Sequence, residues 1–188
     1  MMTPAVPGRR PRYRRVMRAV FDALECLGVR YFVTASVAAS VHGVLRQSQD
    51  TDIVLDIDAS RFGELTEALG ERCVVADPID FGSFSVASIV EQATADKVDV
   101  ILAPTGRFEA SAMERRRLAD VPGVGPVWVA SVEDLLLAKL VWSAGTSELQ
   151  LRDCAQLIRL NVATIDRSYL ESWAERLGVR ELLREIDR

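Results

Sequence analysis

Apolar and polar positions change period several times along the chain, and each change marks an element. Between residues 12 and 27, Val16, Val20, Phe21, Leu24 and Leu27 recur at helical spacing, and Gly28 ends the run. Residues 31–34 are strand-like. Ser36 opens a brief helix that Gly43 closes. The turn VLRQSQ then leads to a strand over 52–57, and 61–69 returns to helical spacing before Gly70. Strands are predicted near 84–89 and 97–102, and PGVGP supplies the turn of a hairpin across 117–130. Beyond Ser131 the pattern is helical throughout. Ser131 with Asp134 and Ser147 with Gln150 have capping-box spacing, and shorter helices follow at 167–176 and 179–187. The expected fold is α+β: a small mixed β-sheet core flanked by helices over 12–130, then a helical bundle over 131–188. Pro4, Pro7 and Pro11 mark 1–11 as a flexible lead-in.

Composition narrows this picture. A chain of 188 residues, 49% apolar and 27% charged, has the make-up of one folded domain with a helical extension. No apolar run approaches the length of a membrane span, and the Arg-rich start lacks the apolar region of a secretory signal. Cys26, Cys73 and Cys154 lie far apart, and His42 is the single histidine, which argues against a disulfide framework or a classical zinc site. The cysteines read as small buried apolar residues in a reducing cytoplasm. The net charge of −4 conceals an arm: residues 1–20 hold six arginines and no acid. Such an arm holds RNA phosphates, docks on an acidic partner, or is a solvated tail. Arg115, Arg116 and Arg117 read as a solvated face.

Candidate chemistry starts at DTDIVLDID, residues 50–58. Residues i and i+2 of a strand share a face, so Asp50 and Asp52 project together. Two carboxylates that close raise each other's pKa unless a cation lies between them. With no thiol or imidazole nearby, Mg²⁺ or Mn²⁺ suits the site; the bland reading is an exposed polar face at a strand start. ADKVDVIL repeats the pattern with Lys97 and Asp99. If the two strands are neighbours, Asp99 is a third carboxylate and Lys97 a positive charge on the same face. Ser36, opening a helix, offers a hydroxyl and backbone N–H groups to a phosphate. A phosphate cradle beside a carboxylate cluster suits metal-assisted phosphoryl or nucleotidyl transfer. Asp56 and Asp58 read as turn and capping residues, His42 as a packing or capping residue, and Trp128, Trp142 and Trp173 as core.

The stretch VTASVAASVHGVLRQSQDTDIVLDI resembles the first motif of the minimal nucleotidyltransferases of the DNA polymerase β superfamily, in the bacterial branch related to AbiEii-type toxins. Thr34, Ser36, Ala38, Gly43, Arg46, Ser48, Asp50 and Asp52 occupy the corresponding positions. KVDVIL resembles that branch's third-carboxylate strand, and SVEDLLLAKLVW and SELQLRD its helical segments bearing a lysine and an aspartate. The likeness covers roughly residues 30–160. It implies a metal-dependent nucleotidyltransferase moving an NMP from an NTP such as ATP or CTP to an acceptor hydroxyl. Asp50, Asp52 and Asp99 would be the catalytic and metal-binding residues; Ser36, Ala35, Arg46, Lys97, Lys139 and Asp153 would bind nucleotide. It also implies a toxin role with a tRNA or protein acceptor and an antitoxin partner. The alternatives are a small-molecule enzyme of aminoglycoside type and a non-catalytic nucleotide- or partner-binding member. Two positions depart from the pattern: Ala35 stands where glycine is usual and Ser48 where threonine is usual. Lys139 shares a helix face with Val132, Leu135 and Trp142, so it either snorkels along the core edge or reaches the triphosphate.

Overall fold

Burial alternates with period two along β-strands in the middle of the sheet, fully buried positions on one face and half-buried ones on the other, as strands covered more completely on one face require. A computed structural model describes residues 14–45, 50–82, 84–102 and 106–187; Arg46, Ser48 and the arm before residue 14 fall outside them. The described residues form, in chain order, α1 (Arg14–Cys26), β1 (Arg30–Val33), α2 (Ala35–Val41), β2 (Asp50–Asp56), α3 (Phe62–Leu69), β3 (Cys73–Val75), β4 (Ile79–Asp80), β5 (Ser85–Glu91) and β6 (Lys97–Leu102). They continue with α4 (Arg107–Arg115), β7 (Arg117–Val121), β8 (Gly125–Val129), α5 (Val132–Ser143), α6 (Glu148–Leu160), α7 (Arg167–Arg176) and α8 (Arg180–Ile186). One mixed sheet runs β3-β5-β6-β2-β1-β8-β7, with β4 paired to β5. The pairs β2–β6 and β1–β8 are parallel; β1–β2, β5–β6 and β7–β8 are antiparallel. The expected α+β class, a mixed sheet flanked by helices, holds.

Strand alternation divides the apolar side chains into two layers. Ile53, Leu55, Val98, Val100, Leu102 and Ile89 meet α1 and α3 on one face. There Val16, Met17, Val20, Phe21 and Leu24 are fully buried, and Phe21 stacks on Tyr31 at 4.9 Å. Burying each such side chain contributes about 1.5–3 kcal/mol relative to leaving it in water. On the other face, Phe32 and Val54 meet α2, α4 and α5, and this core continues through Leu157 to Leu170 and Leu183. Leu135, Leu136, Leu137 and Leu140 are all fully buried, so α5 is apolar on several sides, as a central helix must be.

Several expected caps form. Ser131 Oγ accepts from the Asp134 amide (3.1 Å) and donates to its carboxylate (2.6 Å). Ser147 Oγ accepts from the Gln150 amide. Asp58 accepts from the Ser60 amide at 2.8 Å ahead of α3, and the PGVGP hairpin joins β7 to β8.

Other expectations are corrected. Asp56 ends β2 and pairs with Arg30 across the sheet at 2.5 Å; it is not a turn residue. Cys26 is exposed at the last turn of α1, whereas Cys73 and Cys154 are buried, and burial pushes the Cys154 thiol up to about 12. Trp128 and Trp142 are 37% and 57% exposed rather than core. Trp128 lies on the outward phase of β8 with the Arg116 guanidinium above its ring, and Trp142 lies over Phe84. Trp173 packs edge-on against Phe108. Arg115 is no solvated residue: it lies 3.8 Å over the Tyr169 ring and reaches Glu133 at 3.1 Å. Tyr169 Oη donates to Asp134 at 2.6 Å, fastening α7 to α5.

A second ionic knot joins α1 to the sheet edge. Glu91 is 1% exposed and accepts from Arg72 Nη2 (2.9 Å) and Thr94 Oγ1 (2.8 Å), with Arg15 Nε at 3.4 Å. Burial works to raise its carboxyl, but these partners outweigh burial and hold it below the usual glutamate value. A depressed folded-state pKa stabilises above the unfolded value and loses that contribution as pH falls through the folded value. Melting followed over roughly pH 3 to 7 is therefore expected to show Tm falling on the acid side. Glu91→Gln should flatten that limb and cost about 1–3 kcal/mol at neutral pH.

Candidate active site

Parallel pairing of β2 with β6 brings the sequence-predicted carboxylates together. The register sets Asp50 opposite Lys97 and Asp52 opposite Asp99. Alternation puts Asp52 and Asp99 on the face that Val54 and Ile101 share, the face covered by α2 and α5. Neighbouring strands lie about 4.8 Å apart. Two ionised carboxylates at that spacing repel by about 3 kcal/mol at an effective dielectric near 20. Such a pair calls for positive charge, and Lys97 supplies some: its Nζ lies 2.7 Å from Asp99 Oδ2, while Ser88 Oγ donates to Asp99 Oδ1 at 2.6 Å. Ser88, from β5, was not among the residues picked out by sequence. Only the cross-strand register, which places it opposite Asp99, identifies it.

β1 and α2 border the carboxylates on the other side. The Thr34 amide donates to the Asp52 carbonyl at 2.9 Å, so the turn into α2 begins beside the carboxylate strand. Two residues on, Ser36 is buried, and among the described residues its Oγ has no hydrogen-bond partner. A buried hydroxyl left unsatisfied costs about 1–3 kcal/mol, a cost that a bound acceptor or donor would remove. Ala35, between them, has φ of +50°, the left-handed region that favours glycine. The glycine usual in the resembling motif thus meets a backbone demand at this turn, and alanine meets it with strain. Ala35→Gly is expected to stabilise the fold by about 0.5–1 kcal/mol, read as a rise in Tm. The gain is kept small by the extra unfolded-state freedom of glycine.

Lys139 and Asp153 form their own buried pair between α5 and α6, Nζ to Oδ2 at 3.2 Å. His42 caps the end of α2, its Nε2 2.8 Å from the Ala130 carbonyl oxygen, which is the packing role expected of it. Arg46 and the side chain of Asp50 lie outside the described residues. Among the described residues, no three His, Cys, Asp or Glu side chains make a metal-binding group. The donor chemistry nevertheless suits a hard cation: Asp52 and Asp99 share a face with all-oxygen donors, and Asp50 precedes Asp52 by two residues on β2.

On the far side of Asp99 from α2 lies a cavity of about 240 Å³ lined by Ile79, Phe81, Phe84, Val86, Ser88 and Trp142. Across the sheet, α2 packs on β2, which carries Asp52, β6 beside it carries Asp99, and this cavity follows at β5 and β4.

No family model matches the chain, and no curated protein is similar to it in sequence at a significant level. Its fold is similar to those of solved nucleotidyltransferases. The antibiotic-resistance factor ANT(2'')-Ia aligns over 92% of this chain and 94% of its own, with TM-score 0.60 and 14% identity. The same protein has been solved in complex with adenylyl-2''-tobramycin. An antigenic nucleotidyltransferase-like protein from Paracoccidioides brasiliensis aligns over 92% of both chains (TM-score 0.57, 16% identity). The lincosamide antibiotic adenylyltransferase LnuA, lincomycin-bound, covers 76% of this chain and 94% of its own (TM-score 0.51, 15% identity). At these identities the likeness is one of fold. Among the described residues, no helix is long and apolar enough to cross a membrane.

Proposed function

We propose that the chain is a metal-dependent nucleotidyltransferase that moves an NMP from an NTP to an acceptor hydroxyl. The observation that carries this reading is the β2–β6 register, which sets Asp52 against Asp99 with Asp50 two residues earlier, next to a turn holding an unsatisfied buried hydroxyl on Ser36. Asp50, Asp52 and Asp99 would hold Mg²⁺ or Mn²⁺. A bound divalent ion supplies Lewis-acid charge stabilisation at the phosphoryl oxygens.

The chain's own residues have separable roles. Ser36 Oγ and the amides beside it bind phosphate oxygens on the β1 side of the carboxylates. Lys97 shields Asp99 and adds positive charge where negative charge accumulates on the phosphates. Asp99, oriented by Ser88, receives the proton of the acceptor hydroxyl. The acceptor oxygen bonds to the α-phosphorus and the bond from that phosphorus to the bridging oxygen breaks. Pyrophosphate leaves with the bonding electrons.

The acceptor is the open choice. The sequence likeness to AbiEii-type toxins supports a tRNA or protein acceptor, an antitoxin partner, and RNA contact by the Arg-rich arm. The apolar cavity beside Asp99 favours a small molecule instead. Incubation with Mg²⁺ and each α-labelled NTP, offered RNA, protein and small hydroxyl compounds in parallel, tests the reading. Label is expected in one acceptor class and absent with Asp50→Ala/Asp52→Ala. No transfer to any acceptor, together with metal-dependent NTP binding, would point to a non-catalytic binding protein.

A further inference from the structure

Four apolar side chains around the cavity are poorly covered for their size. Ile79 and Phe81 are 63% and 58% exposed, Trp142 is more than half exposed, and Phe84 is only partly buried between the last two. The rings form a continuous series. Phe81 stacks on Phe84 at 5.3 Å with 19° between planes, and Phe84 meets Trp142 at 5.1 Å and 44°. Solitary exposed apolar residues are ordinary, but three aromatic rings around one concavity form a platform for another ring. The cavity reaches the candidate chemistry through Ser88, which lines it and also donates to Asp99 at 2.6 Å.

The lining also says what would not be held there. Among the described residues that line it, Asp77 is the one ionisable side chain and none is a lysine or arginine. A single strand of RNA needs a positive groove along its phosphates in addition to stacking rings. A polycationic aminoglycoside needs several carboxylates. The described lining meets neither requirement. A volume of about 240 Å³ is that of one ring system with a short substituent.

Resting on the nucleotidyltransferase reading, we infer that this cavity is the acceptor subsite and that the acceptor is an uncharged, ring-bearing small molecule. Its ring stacks among Phe81, Phe84 and Trp142, and its hydroxyl points past Ser88 to Asp99. The position across the carboxylates from Ser36 leaves the triphosphate side clear. Transfer then gives the acceptor's NMP ester and pyrophosphate, with the hydroxyl proton passing to Asp99 and on to water.

Calorimetric titration with a phenylpropanol, in the absence of nucleotide and metal, tests the subsite independently of catalysis. Saturable binding is expected, weakened about tenfold by Trp142→Ala and largely retained by Trp142→Phe. Because Trp142 is exposed, the alanine variant should fold, and an unchanged Tm checks this. In the transfer assay, Trp142→Ala should raise the KM for the aryl alcohol about tenfold and leave the KM for NTP unchanged. Absence of binding by the wild type would overturn the assignment, as would equal binding by Trp142→Ala. So would an RNA oligonucleotide or an aminoglycoside that is a better acceptor and is indifferent to Trp142. If the alcohol binds as described but no NTP is ever turned over, the cavity stands as an aryl-binding site, and the nucleotidyltransferase reading falls together with the acceptor role.

Discussion

Lys139→Met is expected to lower the stability of the fold by about 3 kcal/mol, because it strips the ammonium from Asp153 in a buried setting. Both side chains of the pair are nine-tenths buried, and Lys139 Nζ donates to Asp153 Oδ2 at 3.2 Å between α5 and α6. In a domain of this size that loss is a fall in Tm of roughly 6–12 °C. Lys139→Met/Asp153→Leu should recover most of it, since a buried ion pair replaced whole by apolar side chains is often neutral. Thermal melts of the three proteins check this. The same series separates two roles for the lysine. A double variant that is stable but has lost its NTP-dependent activity would place the Lys139–Asp153 pair at the nucleotide, as the sequence likeness implies. One that keeps its activity confines the lysine to holding α5 against α6.

Asp52→Asn should reduce nucleotidyl transfer by about a thousandfold or more while leaving stability within about 1 kcal/mol of wild type. The substitution is isosteric and the side chain is partly exposed, and it removes one of the two carboxylates that the β2–β6 register sets against each other. Activity at saturating Mg²⁺ and Tm are the two readings. A loss of both together would mean that Asp52 acts in folding, and the site would need to be sought elsewhere. Asp99→Asn is expected to behave similarly in activity, with the difference that Lys97 and Ser88 lose a charged partner.

Much of this site was legible along the chain because its grammar is local. A carboxylate two residues from another on one strand declares a shared face, and KVDVIL repeats the device, so the convergence of Asp52 with Asp99 needed only that the two strands be neighbours. The capping boxes at Ser131 and Ser147 are local in the same way. What the sequence hid depends on distant pairing. Ser88 is one serine among many until β5 is set against β6. Trp142 falls in the apolar run of α5 and reads as core, yet it sits in the last turn, past the helices that cover Leu135 to Leu140. β3 and β4, of three and two residues, are too short to show a period, and their strand character comes from β5. In α4 only Phe108, Ala112 and Met113 face inward, a stripe too thin to stand out. The strain at Ala35 was visible as a departure from a motif, but its cause, a left-handed φ, belongs to the fold.

The most direct test uses two positions of label in one NTP. Wild-type protein with Mg²⁺ and a hydroxyl-bearing acceptor is given the same NTP labelled at the α-phosphorus in one reaction and at the γ-phosphorus in another. The α label is expected in the acceptor and the γ label in released pyrophosphate, and both signals should vanish with Asp50→Asn/Asp52→Asn. A γ label found on the acceptor, or transfer that survives the double substitution, would contradict nucleotidyl transfer by the Asp50, Asp52 and Asp99 site.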